Sequence, residues 1–455
     1  MMGWRPAFER VSAAAIYLLA VSVFLAPAGV AAALVLLWVG FLGEILAGRR
    51  ETPLRPWAVH PLVWLAAAFV LYVLVQPLLL GLMPTGGGAP DFGTAVDWAR
   101  LAVFVPAAHA LAANRARMPR LLLLALAGLV AGMLLRLDWG LLLADPAEFF
   151  DNRGGFGFGA LAFGLYSGTA LLGLVLLRRR CWIDAAGRAH WWRIVPWLAA
   201  LALVLQGFMM TKSRGAWLAL LAALAVGLWQ GRRDRRRLPG TAAAGGGRRS
   251  LATVGVIVVM AALVGLNGGR IVERFSDEWD TVGAMAGGEI AYDRSSSVSQ
   301  RWHAQLFGLQ AWAARPLLGW GAGTTRALMD ASGSPALRSP EDEPLKHLHN
   351  SYLELAVQLG AIGLLLFLAL HLGLVAVVAG RLRVAGTGGD TGRDILVFLL
   401  SALVLLLVWD LFDYRAVRQD WRGYWALVAG AALGIGLGDR RAAGGRDRSG
   451  SGPVS

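Results

Sequence analysis

Apolar runs long enough to cross a lipid bilayer recur along nearly the whole of this sequence. A transmembrane helix needs about 20 mostly apolar residues, and 57% of the 455 residues are hydrophobic, more than one water-soluble core would bury. The chain is therefore predicted to be an all-α, polytopic membrane protein with about twelve transmembrane helices. The predicted spans are residues 12–26, 28–47, 59–82, 95–113, 119–137, 156–177, 194–210, 215–230, 251–267, 349–379, 394–411 and 422–438.

The connections between these spans alternate between arginine-rich and arginine-poor segments. If both termini lie in the cytoplasm, the connections on that side are the arginine-rich ones, such as residues 178–193 and 232–249, as the positive-inside rule requires. The net charge of +14 then reflects membrane topology, and nucleic-acid binding is not expected. The pattern predicts an inner-membrane, multi-pass protein with both termini in the cytoplasm.

One connection on the opposite, periplasmic side is long enough to hold a small folded unit. The predicted organisation is spans one to nine in residues 1–267, a long periplasmic loop with short helices in 268–348, the last three spans in 349–439, and a disordered cytoplasmic tail in 440–455. The loop is where we expect the chemistry.

Two parts of this loop have recognisable patterns. Residues 298–314 are predicted to form an amphipathic helix with Ser299 as its N-cap and with Trp302, Leu306, Leu309 and Ala313 on one face. Residues 331–344, rich in proline, serine and acidic residues, are interpreted either as a mobile lid or as a passive connector.

Cysteine and acidic residues give little reason to expect a metal or a cofactor. Cys181 is the only cysteine, so an intrachain disulfide and a metal–thiolate site are both excluded. The acidic residues Asp277, Glu278 and Asp280 flank a tryptophan on a polar loop, and a solvated surface is the favoured interpretation. No metal and no cofactor are predicted.

Cations on the periplasmic side depart from the positive-inside pattern and need another reason. Lys212 and Arg214 flank Ser213, which can cap the following helix, so that helix amides and two cations would face an anion together. The alternative is that both cations only reach toward lipid headgroups. Arg301, on the amphipathic helix, has a guanidinium that can bind a pyrophosphate through two hydrogen bonds; a solvated surface arginine is the alternative.

A third polar group begins the tenth predicted span. His347 and His349 lie at the membrane boundary, where an imidazole can act as a base near neutral pH. Ser351 and Glu354 also fit a capping box, so a helix start is the alternative interpretation of part of this pattern. Five residues near the same face are candidates for supporting roles: His347 as a secondary histidine, Lys346, Asn350, Asp410 and Asp413. The two aspartates could orient a histidine or bind sugar. The alternative is that they pair with Arg415 or Arg418.

Taken together, these groups resemble the O-antigen ligase and polymerase superfamily over roughly the C-terminal half of the chain. The matching motifs are Ser213-Arg214-Gly215, Arg301-Trp302 through Pro316-Leu317-Leu318-Gly319-Trp320-Gly321-Ala322-Gly323, and His349-Asn350-Ser351-Tyr352-Leu353-Glu354 followed by Leu359-Gly360-Ala361-Ile362-Gly363.

This resemblance implies a bacterial lipopolysaccharide enzyme that works without metal or nucleotide. Its donor would be a glycan linked to undecaprenyl pyrophosphate and its acceptor the lipid A-core oligosaccharide, with membrane lipids as its surroundings. Carried onto this sequence, it implies that Arg214 and Arg301, assisted by Lys212, bind the pyrophosphate and that His349 is the catalytic base.

Three alternative functions remain on sequence grounds. An O-antigen polymerase or a protein O-oligosaccharyltransferase would use the same class of donor with a different acceptor. A polysaccharide flippase or transporter is a more distant alternative, because a transporter places ionisable residues near the bilayer midplane. Here the polar groups instead collect at one face.

Overall fold

Helices dominate the part of the chain that the computed structural model describes: residues 4–47, 60–82, 91–112, 115–182, 190–237, 296–339, 342–384 and 392–449, with residues 265, 268, 269, 272, 276 and 283. Apart from one isolated bridge between Arg338 and Pro344, the described residues contain no β-structure, which confirms the all-α class. The helices are α1 (Arg5–Ser22), α2 (Pro27–Ala47), α3 (Pro61–Gly81), α4 (Phe92–Ala99), α5 (Phe104–Ala112), α6 (Met118–Leu135), α7 (Trp139–Ala144), α8 (Pro146–Asp151), α9 (Ala160–Leu176), α10 (Arg178–Trp182), α11 (Trp191–Met210), α12 (Arg214–Arg237), α13 (Ser297–Ala314), α14 (Thr325–Ala331), α15 (Ser351–Val384), α16 (Arg393–Trp409) and α17 (Gln419–Ser449).

The membrane-spanning character of the chain is supported by the length and composition of its helices. Among the described residues, six helical stretches are long and apolar enough to cross a bilayer. Other predicted spans coincide with α1, α9, α12, α16 and α17, while 251–267 falls almost wholly outside the described residues. The count of twelve spans therefore stays a prediction. The six stretches are Pro27–Ala47, Pro61–Gly81, Phe92–Ala112, Met118–Leu135, Trp192–Met210 and Ser351–Val384.

Small residues allow the long helices to approach one another closely, as is common between helices in membranes. In the α1–α2 hairpin, a Cβ on Gly40 would lie 2.3 Å from the Ser12 hydroxyl oxygen. Between α5 and α17, a Cβ on Gly430 would lie 2.8 Å from the Ala107 side chain. Replacing either glycine would push these pairs apart.

A core of aromatic side chains joins the N-terminal and C-terminal helices. Trp98, Trp409, Trp421 and Trp425 are fully buried, and the rings of Trp421 and Trp425 stack with centroids 5.6 Å apart. Two indole nitrogens in this core donate hydrogen bonds to backbone carbonyls: Trp409 Nε1 to Leu161 O at 3.0 Å and Trp425 Nε1 to Leu101 O at 3.0 Å. Burial of these large side chains stabilises the bundle, and Trp409 and Trp425 also have their indole donors satisfied.

A smaller apolar cluster lies at the end of the bundle where α15 begins and α16 ends, called here the site end. This outer cluster packs α13, α14 and the chain before α15 onto the first turns of α15. Its position supports a folded unit over the helix ends, as expected for the loop sequence. Its buried members are Ala304, Met329, Leu337, Leu345, Leu348, Leu353 and Val357.

Helix α15 is broken at Gly360, and the glycine-rich segment 316–323 fills the break. Gly360 has φ +64° and ψ −172°, so its helical hydrogen bonds are replaced. Trp320 N donates to Val357 O at 2.8 Å, and in return Ala361 N donates to Pro316 O at 2.7 Å. A Cβ on Gly360 would lie 2.1 Å from Leu317 O, so only glycine allows this approach. The glycine-rich segment 316–323 and the motif around Gly360 therefore pack together as one structural unit.

Buried polar side chains support this break from within the bundle. Gln358 accepts from Trp98 Nε1 at 3.1 Å and donates to Glu354 at 2.8 Å. From α3, Gln76 donates to Leu318 O at 2.5 Å and to Gln358 O at 2.8 Å. Each of these groups would be unfavourable at this depth without a partner, so the network fixes segment 316–323 against α15.

Two local predictions about the loop need correction or refinement. The N-cap of α13 is Ser296, whose hydroxyl accepts from Ser299 N at 3.2 Å, so Ser299 is not the cap but a buried residue of the first turn. The described part of 331–344 folds back on the outer cluster, with Leu337 buried and Leu345 N donating to Leu337 O at 2.8 Å.

Candidate active site

Two histidines and one aspartate meet at the site end. His349 Nδ1 lies 3.7 Å and His347 Nε2 lies 3.9 Å from the same oxygen, Oδ1 of Asp413. The two imidazole rings contact each other, with centroids 4.3 Å apart. Asp413 is 6% exposed and His349 26% exposed. This histidine–aspartate cluster therefore has a buried carboxylate behind a histidine that solvent or a substrate can reach.

The hydrogen bonds of the cluster constrain where its protons lie. His349 N donates to His347 Nδ1 at 3.2 Å, so neutral His347 carries its proton on Nε2, the nitrogen that faces Asp413. The carboxylate of Asp413 likewise favours a proton on Nδ1 of His349. Its separation of 3.7 Å exceeds hydrogen-bond length, so the contact is electrostatic. In this tautomer Nε2 of His349 holds the lone pair that a base needs.

The chain before α15 adopts an unusual backbone conformation that presents this histidine. His349 has φ +55°, the left-handed region that residues other than glycine seldom occupy. Asn350 then caps α15, its Oδ1 accepting from Tyr352 N at 3.0 Å and Leu353 N at 3.1 Å. A turn followed at once by a capped helix start directs the His349 side chain toward Asp413.

Ser351 and Glu354 do not form the capping box that their spacing suggested. Ser351 Oγ donates to Asp410 Oδ1 at 3.0 Å and to Asp413 O at 2.8 Å, which ties the start of α15 to the chain after α16. Glu354 accepts instead from Leu348 N at 2.9 Å. These contacts give Ser351, Glu354 and Asp410 positioning roles and bring Asp413 beside the histidines.

Burial and neighbouring charges perturb the protonation of the cluster. Burial of Asp413 acts to raise its pKa, but the adjacent His349 and His347 outweigh this, and the pKa lies below its ordinary value. Asp413 is therefore a carboxylate at neutral pH. Burial lowers the pKa of His347 to about 4, aided by His349, Arg301 and Arg415 and opposed by Asp413. His347 is therefore neutral at pH 7.

The predicted anion-binding arginines lie on helices that converge on the cluster. Arg214 is the first residue of α12, whose cap is Ser213, since Ala216 N donates to Ser213 Oγ at 3.3 Å. Arg214 Nη2 donates to Ser297 Oγ at 3.3 Å, at the start of the helix that carries Arg301. Arg301 lies near enough to His347 for its positive charge to lower the pKa of that histidine. The structure thus brings Arg214 and Arg301 together with the histidines.

The predicted lysines are placed less directly. Lys212 has φ +48°, and its Nζ lies 3.2 Å from Asp151 Oδ1 at the end of α8. An anion at Lys212 would therefore compete with Asp151, a contact that no pattern near Lys212 predicts. Lys346 is exposed on the chain before the histidines. Residues 277, 278 and 280 lie outside the described residues.

Sequence reasoning left the roles of the aspartates open, and the structure shows a different partner for Arg415. Arg415 Nε binds Asp420 Oδ2 at 2.8 Å, and Tyr166 donates to the same carboxylate oxygen at 2.8 Å. With Arg415 held by Asp420, Asp413 lies against the histidines. Asp413 lies only two residues before Arg415 in the sequence, so sequence proximity could not distinguish these pairings.

The cluster has the residue types of a three-ligand metal site, since donor atoms of His347, His349 and Asp413 lie within 4.8 Å of one another. A metal would need the lone pair of His347 Nε2. The hydrogen bond from His349 N to Nδ1 places a proton on Nε2 instead. Metal binding would therefore have to break this hydrogen bond, and the arrangement suits proton transfer better.

Comparison with protein families identifies the segment that carries these groups. Residues 199–368 match the Wzy_C family, described as O-antigen ligase. Over these residues the chain is similar to the O-antigen ligase and polymerase superfamily. The match covers more than a third of the chain and includes Arg214, Arg301, His347 and His349, whereas Asp413 lies beyond it. No curated protein matches the chain.

The members of this superfamily share a general chemistry. Its members are membrane enzymes of the glycosyltransferase type that act on lipid-linked glycans. The apolar helices agree with a multi-pass membrane protein. The resemblance found in the sequence motifs is thereby confirmed at the level of the superfamily.

Proposed function

We propose that the protein is an O-antigen ligase. It transfers O-antigen polysaccharide from undecaprenyl pyrophosphate to the lipid A-core oligosaccharide, at the periplasmic face of the bacterial inner membrane and without a metal. The observation that carries the proposal is the histidine–aspartate cluster, with its two histidines and the nearby Arg214 and Arg301 inside the Wzy_C match.

In the proposed reaction, His349 is the base. Its Nε2 takes the proton of an acceptor hydroxyl as the hydroxyl oxygen attacks the anomeric carbon of the donor glycan. The bond between that carbon and the pyrophosphate oxygen breaks, and undecaprenyl pyrophosphate leaves with the bonding electron pair. Asp413 holds His349 and stabilises the imidazolium that forms, while neutral His347 packs beside it.

The arginines bind the leaving group. Negative charge builds up on the pyrophosphate as the glycosidic bond breaks, and fixed cations in a partly water-excluded site stabilise that charge. Arg214, at the start of α12, also benefits from the outward-pointing amides of that helix. Lys212 assists once an anion displaces its contact with Asp151. Lys346, exposed nearby, is placed to meet the glycan or its lipid-linked phosphates.

Reconstitution tests the acceptor. Purified protein in nanodiscs should convert lipid A-core to the glycan-bearing form when supplied with the undecaprenyl-linked polymer, and His349→Ala protein gives the background. A deletion strain should lose long lipopolysaccharide chains and accumulate lipid-linked polymer. A polymerase would instead extend the lipid-linked glycan, and its deletion strain would carry single repeats on the core.

Metal independence and orientation have separate tests. Transfer should survive excess chelator, because arginines neutralise the pyrophosphate. Loss of transfer with chelator and its recovery with magnesium or manganese would contradict this part of the proposal. Cys181, in the arginine-rich helix α10, should resist a membrane-impermeant thiol reagent in intact spheroplasts. Its labelling there would reverse the proposed orientation.

A further inference from the structure

Helix α13 has two faces of opposite character. One face packs on the start of α15: Ala304 and Gly308 are buried, and a Cβ on Gly308 would lie 2.7 Å from the Leu348 side chain. The opposite face is the apolar one that the sequence predicts. Contrary to the usual position of such a face in a folded protein, it is exposed, with Leu309 50% accessible. The face consists of Trp302, Leu306, Leu309 and Ala313.

The chain that follows α13 lies alongside residues deep within two candidate spans. Leu317 O accepts from Ile362 N at 3.3 Å, and Ile362 is eleven residues beyond the start of α15, about 16 Å along a helix. Leu318 O accepts from Gln76, five residues before the end of α3. Irregular backbone at this depth is tolerated where protein satisfies its polar groups, as it does here.

The exposed face of α13 therefore continues into a surface that faces lipid. Leu317, 65% exposed, adjoins Ile362, and Leu365 follows one turn further along α15 with 64% exposure. Leu365 lies in a helix that is long and apolar enough to cross a membrane, so hydrocarbon is expected around its exposed side chain. Exposed apolar side chains thus recur from Leu309 to Leu317, whose backbone is hydrogen-bonded to Ile362.

We propose that α13 is an interfacial helix whose exposed face is immersed in the acyl chains of the bilayer leaflet at the site end. A large apolar stripe on one side of a helix, with tryptophan at the polar end, is the pattern of helices that lie in a membrane surface. Arg301 precedes Trp302 on this helix, so lipid contact holds a cationic side chain at headgroup depth, where the phosphates of a lipid-linked donor lie.

Spin labelling tests this placement without reference to the proposed reaction. In a full-length Cys181→Ser background, a nitroxide is attached at Leu306→Cys or Leu309→Cys, and the protein is reconstituted in nanodiscs. Leu365→Cys serves as the lipid-facing control, and Ala331→Cys, exposed at the end of α14, serves as the control for water. Collisions with oxygen and with a water-soluble nickel chelate are then measured by power saturation.

The expected result is that Leu306 and Leu309 labels collide more with oxygen than with the nickel chelate, as at Leu365, and that this ratio inverts at Ala331. A ratio like that of Ala331 would place the stripe in water and overturn the proposal. Low collision with both reagents would show that protein covers the stripe, such as residues between 238 and 295, and would also overturn it. Both labelled positions are exposed, so the substitutions leave the core intact.

Discussion

Two histidine–carboxylate pairs lie at opposite ends of the helical bundle, and they differ in how tightly they are closed. At the end away from the site, His109 Nε2 lies 2.7 Å from Glu44 Oε2, and Ser12 Oγ donates to the other oxygen of Glu44 at 2.8 Å. At the site end, His349 Nδ1 lies 3.7 Å from Asp413. The exposed fraction of the histidine is 10% in the first pair and 26% in the second.

The comparison separates a structural pair from one suited to chemistry. The three side chains of the first group join α1, α2 and α5, and a short hydrogen bond between buried partners serves to fix helices. The second pair is looser and more exposed, and the positive charges of Arg301 and Arg415 act on its neighbour His347. Residue type alone would rank the two histidines equally; geometry and surroundings distinguish them.

The largest effect should come from removing the two histidines in turn. His349→Ala removes the proposed base, so single-turnover transfer should fall by about 10²- to 10⁴-fold, with donor binding and the melting temperature little changed. His109→Ala should do the reverse, leaving turnover of the folded protein intact and lowering stability by about 1–3 kcal/mol. Near-normal transfer by well-folded His349→Ala protein would leave His349 as part of the helix start only.

The arginines beside the second pair should affect both binding and turnover. Arg214→Ala or Arg301→Ala removes charge that meets the pyrophosphate before and during its departure, so donor affinity should drop and turnover should fall by about 10²-fold. Arg301→Lys should recover only part of the loss, because a point charge lacks the planar guanidinium geometry. Titration with lipid-linked donor and single-turnover assays measure the two quantities. Unchanged donor affinity in both alanine variants would show that neither arginine binds the donor.

A smaller loss is expected when the carboxylate of the second pair is neutralised. Asp413→Asn keeps the backbone contact from Ser351 but removes the charge that holds His349. The contact is longer than a hydrogen bond, so the expected loss in turnover is about tenfold, the lower end of the range for charged contacts. Donor affinity should not change. The matched change Glu44→Gln should leave turnover unaltered, and an equal loss in both variants would indicate general destabilisation.

The smallest effect concerns the pH dependence of stability. The pKa of His347 is about 4 in the folded protein against 6.5 ordinarily, so between these values the unfolded chain binds the additional proton. The stability that folding gains from keeping His347 neutral is fully present above pH 6.5. The free energy of unfolding decreases as the pH falls from 6.5 toward 4. The melting temperature should decline over this window and decline less in His347→Gln, measured in the same detergent. Equal slopes would show that His347 is not held neutral by folding.

The sequence was sufficient to predict the helical class and the residues that the structure brings together. The length of an apolar run does not depend on tertiary contacts, so the predicted spans that lie within the described residues coincide with helices. Arg214, Arg301 and His349 stood out because cations and histidines are unusual at a membrane boundary. Their roles in binding and catalysis stay predictions.

What the sequence could not supply were contacts between segments far apart in the chain. Nothing near Ser351 indicates that its hydroxyl binds Asp410 and Asp413 rather than capping a helix. The partnership of Lys212 with Asp151 spans 61 residues and rests on a short helix with no strong pattern. The apolar side of α13 was predicted correctly, but periodicity does not tell whether such a side meets protein or lipid.

The left-handed backbone of His349 has a consequence for how this site is maintained over evolution. At φ +55° a side chain with a Cβ is strained by roughly 1–3 kcal/mol, and glycine is not. A population of sequences selected for stability alone would therefore drift toward glycine at position 349. Selection for activity has to act against that drift, so a lineage that no longer uses the reaction should lose this histidine early and gain thermal stability as it does.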